Sequence, residues 1–312
     1  MRFAACCLIA LLVLAPLPAR EEEAEALVAR ADELIRNKAY DSAATAHYKV
    51  KTDDPRLLPA KAAGLLEEFR TFFDQYWGGK LELKPYDKLG RIYLFYSRFH
   101  YSRLFEGVSR AATDWTVGHY REFEDIVALH TDSVGLAGLP DALLHEAAHQ
   151  LVQQRLYGPE TQPSPWLAEG LATYFGNMER DAQGRFLPEK IGDKSAWLFR
   201  EGDRSGDGMA RHQARAYGSL LRKKTARPID EMIRMTGMDS FYAEGRDERY
   251  AASWLLVHFL MHGDAGAHAA PFARYLAREI REDVTAADFY KEIGMTPEQL
   301  QAAFEKHARK QG

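Results

Sequence analysis

Four residues near the middle of the chain have types and spacing that could hold a metal ion and use it. His145 and His149 stand four apart, Glu146 directly follows the first, and Glu169 lies in a second apolar run. Four residues is slightly more than one α-helical turn, so on a helix the two imidazoles leave the same face, about 40° apart around the axis. Two imidazoles and one carboxylate form the ligand set of a catalytic zinc that keeps its fourth position for water. Glu146, one residue past His145, is rotated off the ligand direction and would stand beside that water as a general base. The residues therefore predict one Zn²⁺ per chain, held by His145, His149 and Glu169, with Glu146 catalytic. They specify no substrate-binding residue. The alternative is an ordinary helix with two histidines that are exposed or satisfied in the core.

The surrounding sequence must place these residues, and its patterning suits that task. Leu144, Ala147, Ala148, Leu151 and Val152 offer an apolar face to bury the His145 helix, and Gly158-Pro159 closes it. Ile126–His130 reads as a strand that enters the turn-rich stretch Thr131–Pro140 ahead of that helix. Trp166–Phe175 reads as a second helix carrying Glu169, and the nineteen residues between His149 and Glu169 are enough for the chain to turn back antiparallel. Upstream, Glu21–Lys38 and Leu58–Trp77 are helix-like, Thr45–Lys51 and Arg91–Tyr96 strand-like, and Ser97–Phe105 helical. From Trp197 onward no strong strand pattern occurs. Helices are expected at Arg227–Met235, Tyr250–His262, Pro271–Glu282, Ala286–Ile293 and Pro297–Lys310. The expected fold is α+β, with a small mixed α/β lobe (residues 45–185, including the His145 and Glu169 helices) and an all-α C-terminal lobe (186–312) of the same catalytic domain. Residues 20–44 form an N-terminal helical segment, either integral or a pro-segment.

Composition narrows the function classes. The apolar and charged fractions, 46% and 28%, are those of a globular protein, and a net charge of −4 from interspersed residues gives no electrostatic case for nucleic acid or an anionic membrane surface. Met1-Arg2, the apolar run Phe3–Leu17 and the small residue Ala19 follow the order of a secretory signal, with cleavage near Ala19. The run is shorter than the ~20 residues a membrane span needs. Export to the periplasm or the extracellular space is therefore expected, with no stable membrane insertion afterwards. Cleavage would remove both cysteines, Cys6 and Cys7, so that a transition metal would have only His, Asp or Glu to bind. His258 and His262 are also four apart, but no third ligand accompanies them. Glu201–Gly208 lacks the alternating oxygen ligands of a calcium loop and reads as a solvated loop.

HEAAH at His145–His149 followed by WLAEGLATYF at Trp166–Phe175 resembles the gluzincin clan of thermolysin-like metallopeptidases, and most of all the peptidase MA-like family of exported bacterial proteins. The stretch is also similar to the aminopeptidase N family. The resemblance implies a thermolysin-like two-lobed domain with an edge strand over the active site, which it places at Glu124–His130. It further implies an oxyanion-stabilising tyrosine, matched here by Tyr250 at the head of Tyr250-Ala251-Ala252-Ser253, with Tyr217 and Tyr242 as weaker matches. Tyr250 could instead be an aromatic that packs the start of its helix. Two departures are informative. The Gly-x-Met-Glu-Asn motif that grips a free α-amine is absent, which argues against aminopeptidase activity. Thr173 stands where thermolysin-like enzymes place an acid behind the ligands.

The leading expectation is a zinc-dependent endo- or oligopeptidase acting on a peptide or protein substrate. A non-catalytic envelope binding protein on the same fold is the alternative, although binding alone requires nothing of Glu146. Hydrolysis of a cell-wall peptide amide is a third reading that the same chemistry would serve.

Overall fold

The structure is a computed structural model that describes residues 17–36, 41–105, 116–159, 161–181, 183–191 and 209–312. The expected signal segment up to Pro16 and the loop at Glu201–Gly208 lie outside the described residues. No described helix is long and apolar enough to cross a membrane. The chain is mixed α/β and divides into two compact units. Among the described residues, one unit takes the sequence up to Arg70 and Asp87–Gln150. The other takes Thr71–Tyr86, Leu151 to residue 191, and residues 209–312.

The first unit is built on a five-stranded sheet. Its strands are β1 (Asp41–Ala44), β2 (Tyr48–Thr52), β3 (Gly90–Phe95), β4 (Gly118–Arg121) and β5 (Ile126–His130), in the order β1-β2-β3-β5-β4. β2, β3 and β5 run parallel, while β1 and β4 close the edges antiparallel. β5 is buried at all five positions, as a strand flanked on both sides must be. This corrects the expectation that Glu124–His130 forms the sheet edge: the edge is β4. The sequence Gly118-His119-Tyr120-Arg121 has no apolar alternation, so it carries no strand signal of its own. It is held by pairing to β5 and by the turn through Glu122–Asp125.

Helix α1 (Leu17–Arg36) covers one face of this sheet. Ala31 and Ile35 are buried in a cluster with Tyr93, Phe95, Ile126 and Ala128 from the sheet, and with Tyr101 and Leu104 of α3 (Arg98–Leu104). Asp32 ties the helix to the strands by pairing with Lys51 and accepting the Tyr93 hydroxyl at 2.9 Å. Burial alone would raise the Asp32 pKa, but the Lys51 and Tyr93 bonds outweigh it and hold the carboxyl below its usual range.

Two helices continue across the division of the chain, α2 (Pro59–Gly78) and α4 (Thr131–Leu151). α4 begins ten residues earlier than the glycines and Pro140 suggest. Its start is pinned by side chains: Thr131 Oγ1 donates to Asp54 at 2.6 Å, and Asp132, in the first turn, accepts from the Arg98 amide at 2.8 Å. These contacts, with a helix dipole that favours Asp132 there, offset the hydrogen bond Pro140 forgoes. A wider π-type turn at Val152–Tyr157 then leads to Gly158.

The second unit is mainly helical. It holds α5 (Pro165–Gly176), α6 (Met209–Lys223), α7 (Ile229–Ile233), α8 (Met238–Tyr242), α9 (Arg246–His262), α10 (Ala269–Glu279), α11 (Ala286–Ile293) and α12 (Pro297–Gln311). Thr285 and Thr296 open the last two helices with capping boxes. The unit also contains a β-hairpin, β6 (Met178–Arg180) with β7 (Phe186–Ile191), whose second strand falls within the stretch from residue 186 expected to be all-α. Its turn is made by Asp181, whose carboxylate accepts from the Gln183 and Arg185 amides. α9 is buried along almost its whole length and packs against α5.

Because Ile35 is only 1% exposed in the cluster under α1, Ile35→Ala should lower the unfolding free energy by about 2–4 kcal/mol. Urea denaturation measures it, and an unchanged midpoint would mean that α1 is a detachable pro-segment.

Candidate functional site

The α4 helix buries Leu143, Leu144, Ala147, Ala148 and Leu151 completely, which turns His145, Glu146 and His149 to a different, half-buried face. The two imidazoles meet edge to face, with ring centroids 4.7 Å apart and Nε2 atoms 3.1 Å apart. For an ion about 2.05 Å from each nitrogen, that separation subtends about 98°, close to a tetrahedral angle.

Glu146 is held by the edge strand. The amide of Tyr120 donates to Glu146 Oε2 at 2.8 Å. His130 donates its amide to Val117 O, so the antiparallel alternation turns the Tyr120 N–H away from β5 and outward from the sheet. Gly118 makes the approach possible, since a Cβ there would lie 2.8 Å from Leu129 Cγ and 3.1 Å from Glu146 Cγ. A second tie runs from Gln150 Nε2 to Asp125 Oδ1 at 2.8 Å, where Asp125 turns the chain between β4 and β5 at φ +52°. Behind the strand, the buried Tyr101 phenol bonds to His119. Burial, reinforced by the negative charge of Glu146, keeps that phenol protonated.

Glu169 sits on α5 and is only 1% exposed. Gly170 beside it touches α9: a Cβ would come within 2.9 Å of Ser253 O and 3.0 Å of Val257 Cγ2. Ser253 therefore has a packing role, since its backbone lies against the helix that carries Glu169. The hydroxyl of Tyr242 donates to Glu169 Oε1 at 2.5 Å.

His145, His149 and Glu169 each offer one ligand atom, and these atoms all lie within 4.8 Å of one another. The donor set suits a borderline-soft divalent cation: two neutral imidazoles and one carboxylate with no thiolate. Among the described residues, no other group of three His, Cys, Asp or Glu gathers this closely. Tyr250 is half-buried, and its ring stacks on Tyr242 with centroids 6.3 Å apart at 21°. Tyr217 is elsewhere, 1% exposed and packed against Phe304 in the helical core. Thr173 is buried one turn after Glu169. The group seen on the Glu169 carboxylate is instead Tyr242, 73 residues away along the chain, a pairing that no local spacing signals.

Several other histidines have structural partners. His130 is buried between Asp132 and the Thr116 carbonyl, and His100 pairs with Asp53. His258 shares a 2.9 Å hydrogen bond with His307 and reaches the Glu189 carbonyl, while His262 bonds to the Tyr174 hydroxyl, which meets that of Tyr76. Burial lowers the His258 pKa to about 3, and the neighbouring His262 and His307 add to the shift. His307, beside Lys310, is lowered to about 4, again mainly by burial and against the pull of Asp264. His262 is lowered by burial and partly restored by the Glu189 carboxylate. No protein family matches the chain, and no curated protein is significantly similar to it.

Two outcomes follow from this packing. In Gly170→Ala, a clash with backbone (about 1–3 kcal/mol) outweighs the helical preference for alanine (about 1 kcal/mol), for a net loss of about 1 kcal/mol on urea unfolding; a stabilised variant would contradict the close approach. The histidine trio predicts acid sensitivity. Above pH 6.5, folded and unfolded chains both carry neutral imidazoles; below it, the unfolded chain takes up protons that the folded one refuses. Stability should fall as pH drops from 6.5 toward about 3, with His258 alone accounting for about 2 kcal/mol at pH 5. His258→Gln should flatten the difference between pH 7 and pH 5, and an equally steep profile in that variant would contradict it.

Proposed function

We propose that the protein is a zinc-dependent peptidase of thermolysin-like fold, acting on peptide bonds as an endo- or oligopeptidase after export and removal of its first nineteen residues. The observation that carries this reading is the close set of His145, His149 and Glu169 with a carboxylate, Glu146, one residue past the first histidine. His145, His149 and Glu169 would hold the ion. When bound, zinc supplies Lewis acidity and lowers the pKa of a water to roughly 7.

The chain's own residues do the rest. Glu146 accepts a proton from the attacking water and returns it to the leaving nitrogen as the C–N bond breaks. The Tyr120 amide holds this carboxylate through Oε2. The Tyr250 phenol, steadied by its stack on Tyr242, is the donor proposed for the oxyanion. The outward-facing edge of β4 offers backbone groups to an extended peptide.

The test uses the full chain loaded with one equivalent of zinc and a peptide library read by mass spectrometry. Wild type should cleave it. Glu146→Gln should keep its zinc and lose turnover by about 10²–10⁴-fold, and His149→Ala should lose the zinc. Undiminished cleavage by Glu146→Gln would rule out the base role. A zinc content unaffected by His149→Ala would rule out the ligand set, and intact peptides with zinc-loaded wild type would rule out the activity.

A further inference from the structure

Glu169 is a carboxylate with two oxygens, and a four-coordinate ion with three protein ligands needs one of them. Tyr242 touches the other. Its hydroxyl donates to Oε1 at 2.5 Å, the length of a charge-assisted O–H···O⁻ bond. An oxygen that accepts a phenol proton at that distance has spent its best lone-pair direction, so the bond selects Oε2 for a cation and fixes the plane of the carboxylate.

The phenol is itself held. Tyr242 ends α8, a helix of five residues that is too short to be stable alone. Arg249, on α9 and 5% exposed, ties the end of α8 in place. Its Nε donates to the Phe241 carbonyl at 2.6 Å, and its Nη2 donates to those of Ala243 and Glu244 at 2.7 and 3.0 Å. A guanidinium on three carbonyls around a helix C-terminus satisfies groups the helix leaves open and complements its dipole. The rings of Phe241 and Tyr250 flank Tyr242 at 5.9 and 6.3 Å. A chain of contacts therefore runs from Arg249 through the end of α8 and the Tyr242 hydroxyl to Glu169.

We propose that Tyr242 is a positioning residue of the metal centre: it holds Glu169 as a single-oxygen ligand, and Arg249 holds Tyr242 in turn. This rests on the reading of His145, His149 and Glu169 as a zinc site.

The experiment is metal binding by the purified full chain, without substrate. Zinc affinity is measured by competition with a chromogenic chelator, and the ligand field by the visible absorption of the cobalt(II)-substituted protein. Tyr242→Phe, which removes one oxygen atom and keeps the ring, should weaken zinc binding by about 10–100-fold and shift the cobalt bands. Tyr217→Phe, at a ring packed against Phe304 in the helical core, should keep the wild-type affinity to within about twofold and keep the wild-type spectrum. Circular dichroism and thermal melting without metal show whether Tyr242→Phe is folded. If it is not, Arg249→Lys, which keeps the charge but loses the three-carbonyl fork, should weaken zinc binding in the same direction. Wild-type affinity and spectrum in a folded Tyr242→Phe would overturn the positioning role and leave the zinc site standing. A wild-type chain that binds no zinc would overturn both.

Discussion

A carboxylate taken almost wholly out of water is the constraint on which the helical unit depends. Glu169 is 1% exposed, and an ionised group so buried costs several kcal/mol unless hydrogen bonds or an opposite charge compensate it. The surroundings of Glu169 can be understood as that compensation. Gly170 and Ser253 let α5 and α9 approach within the space of a missing Cβ, which excludes water. α8, too short to stand alone, is tied down by Arg249 so that Tyr242 can donate to Oε1. His145, His149 and Glu169 bring one potential ligand atom each within 4.8 Å of the others.

The sheet unit obeys a parallel logic around Glu146. Its carboxylate is aimed by backbone: the Tyr120 amide is fixed by the register of β4 on β5 and has no rotamers to lose. Gly118 gives the clearance, and the Gln150–Asp125 bond ties the strand turn to the residue after His149. Strand, turn and helix thus hold His145, Glu146 and His149 in one local frame. The sheet beneath that frame is closed on its other face by α1.

Much of this was legible in the sequence where local pattern and tertiary demand agree. Ile126–Leu129 is an unbroken apolar run, and the strand it forms with His130 is buried at every position; the capped helices at the C-terminal end begin at Thr285 and Thr296 as their side chains dictate. Legibility failed where long-range contacts decide. Thr131–Pro140 carries the residues of a turn yet is helical, because Asp54 and the Arg98 amide fix its first turn. β4 and β6 have largely polar sequences, and β7 is interrupted by Pro188; all three exist through pairing, which local periodicity does not record. At the site, HExxH spacing predicts which side chains share a face. The partner of Glu169 is 73 residues distant in sequence, and no spacing rule reaches that far.

The most direct test of the account is zinc K-edge X-ray absorption on the protein loaded with one equivalent of metal. The account predicts a first shell of about four nitrogen and oxygen atoms near 2.0 Å, with the outer-shell scattering of two imidazoles. A first shell of six oxygens without imidazole scattering, the signature of zinc held loosely at surface carboxylates, would contradict it.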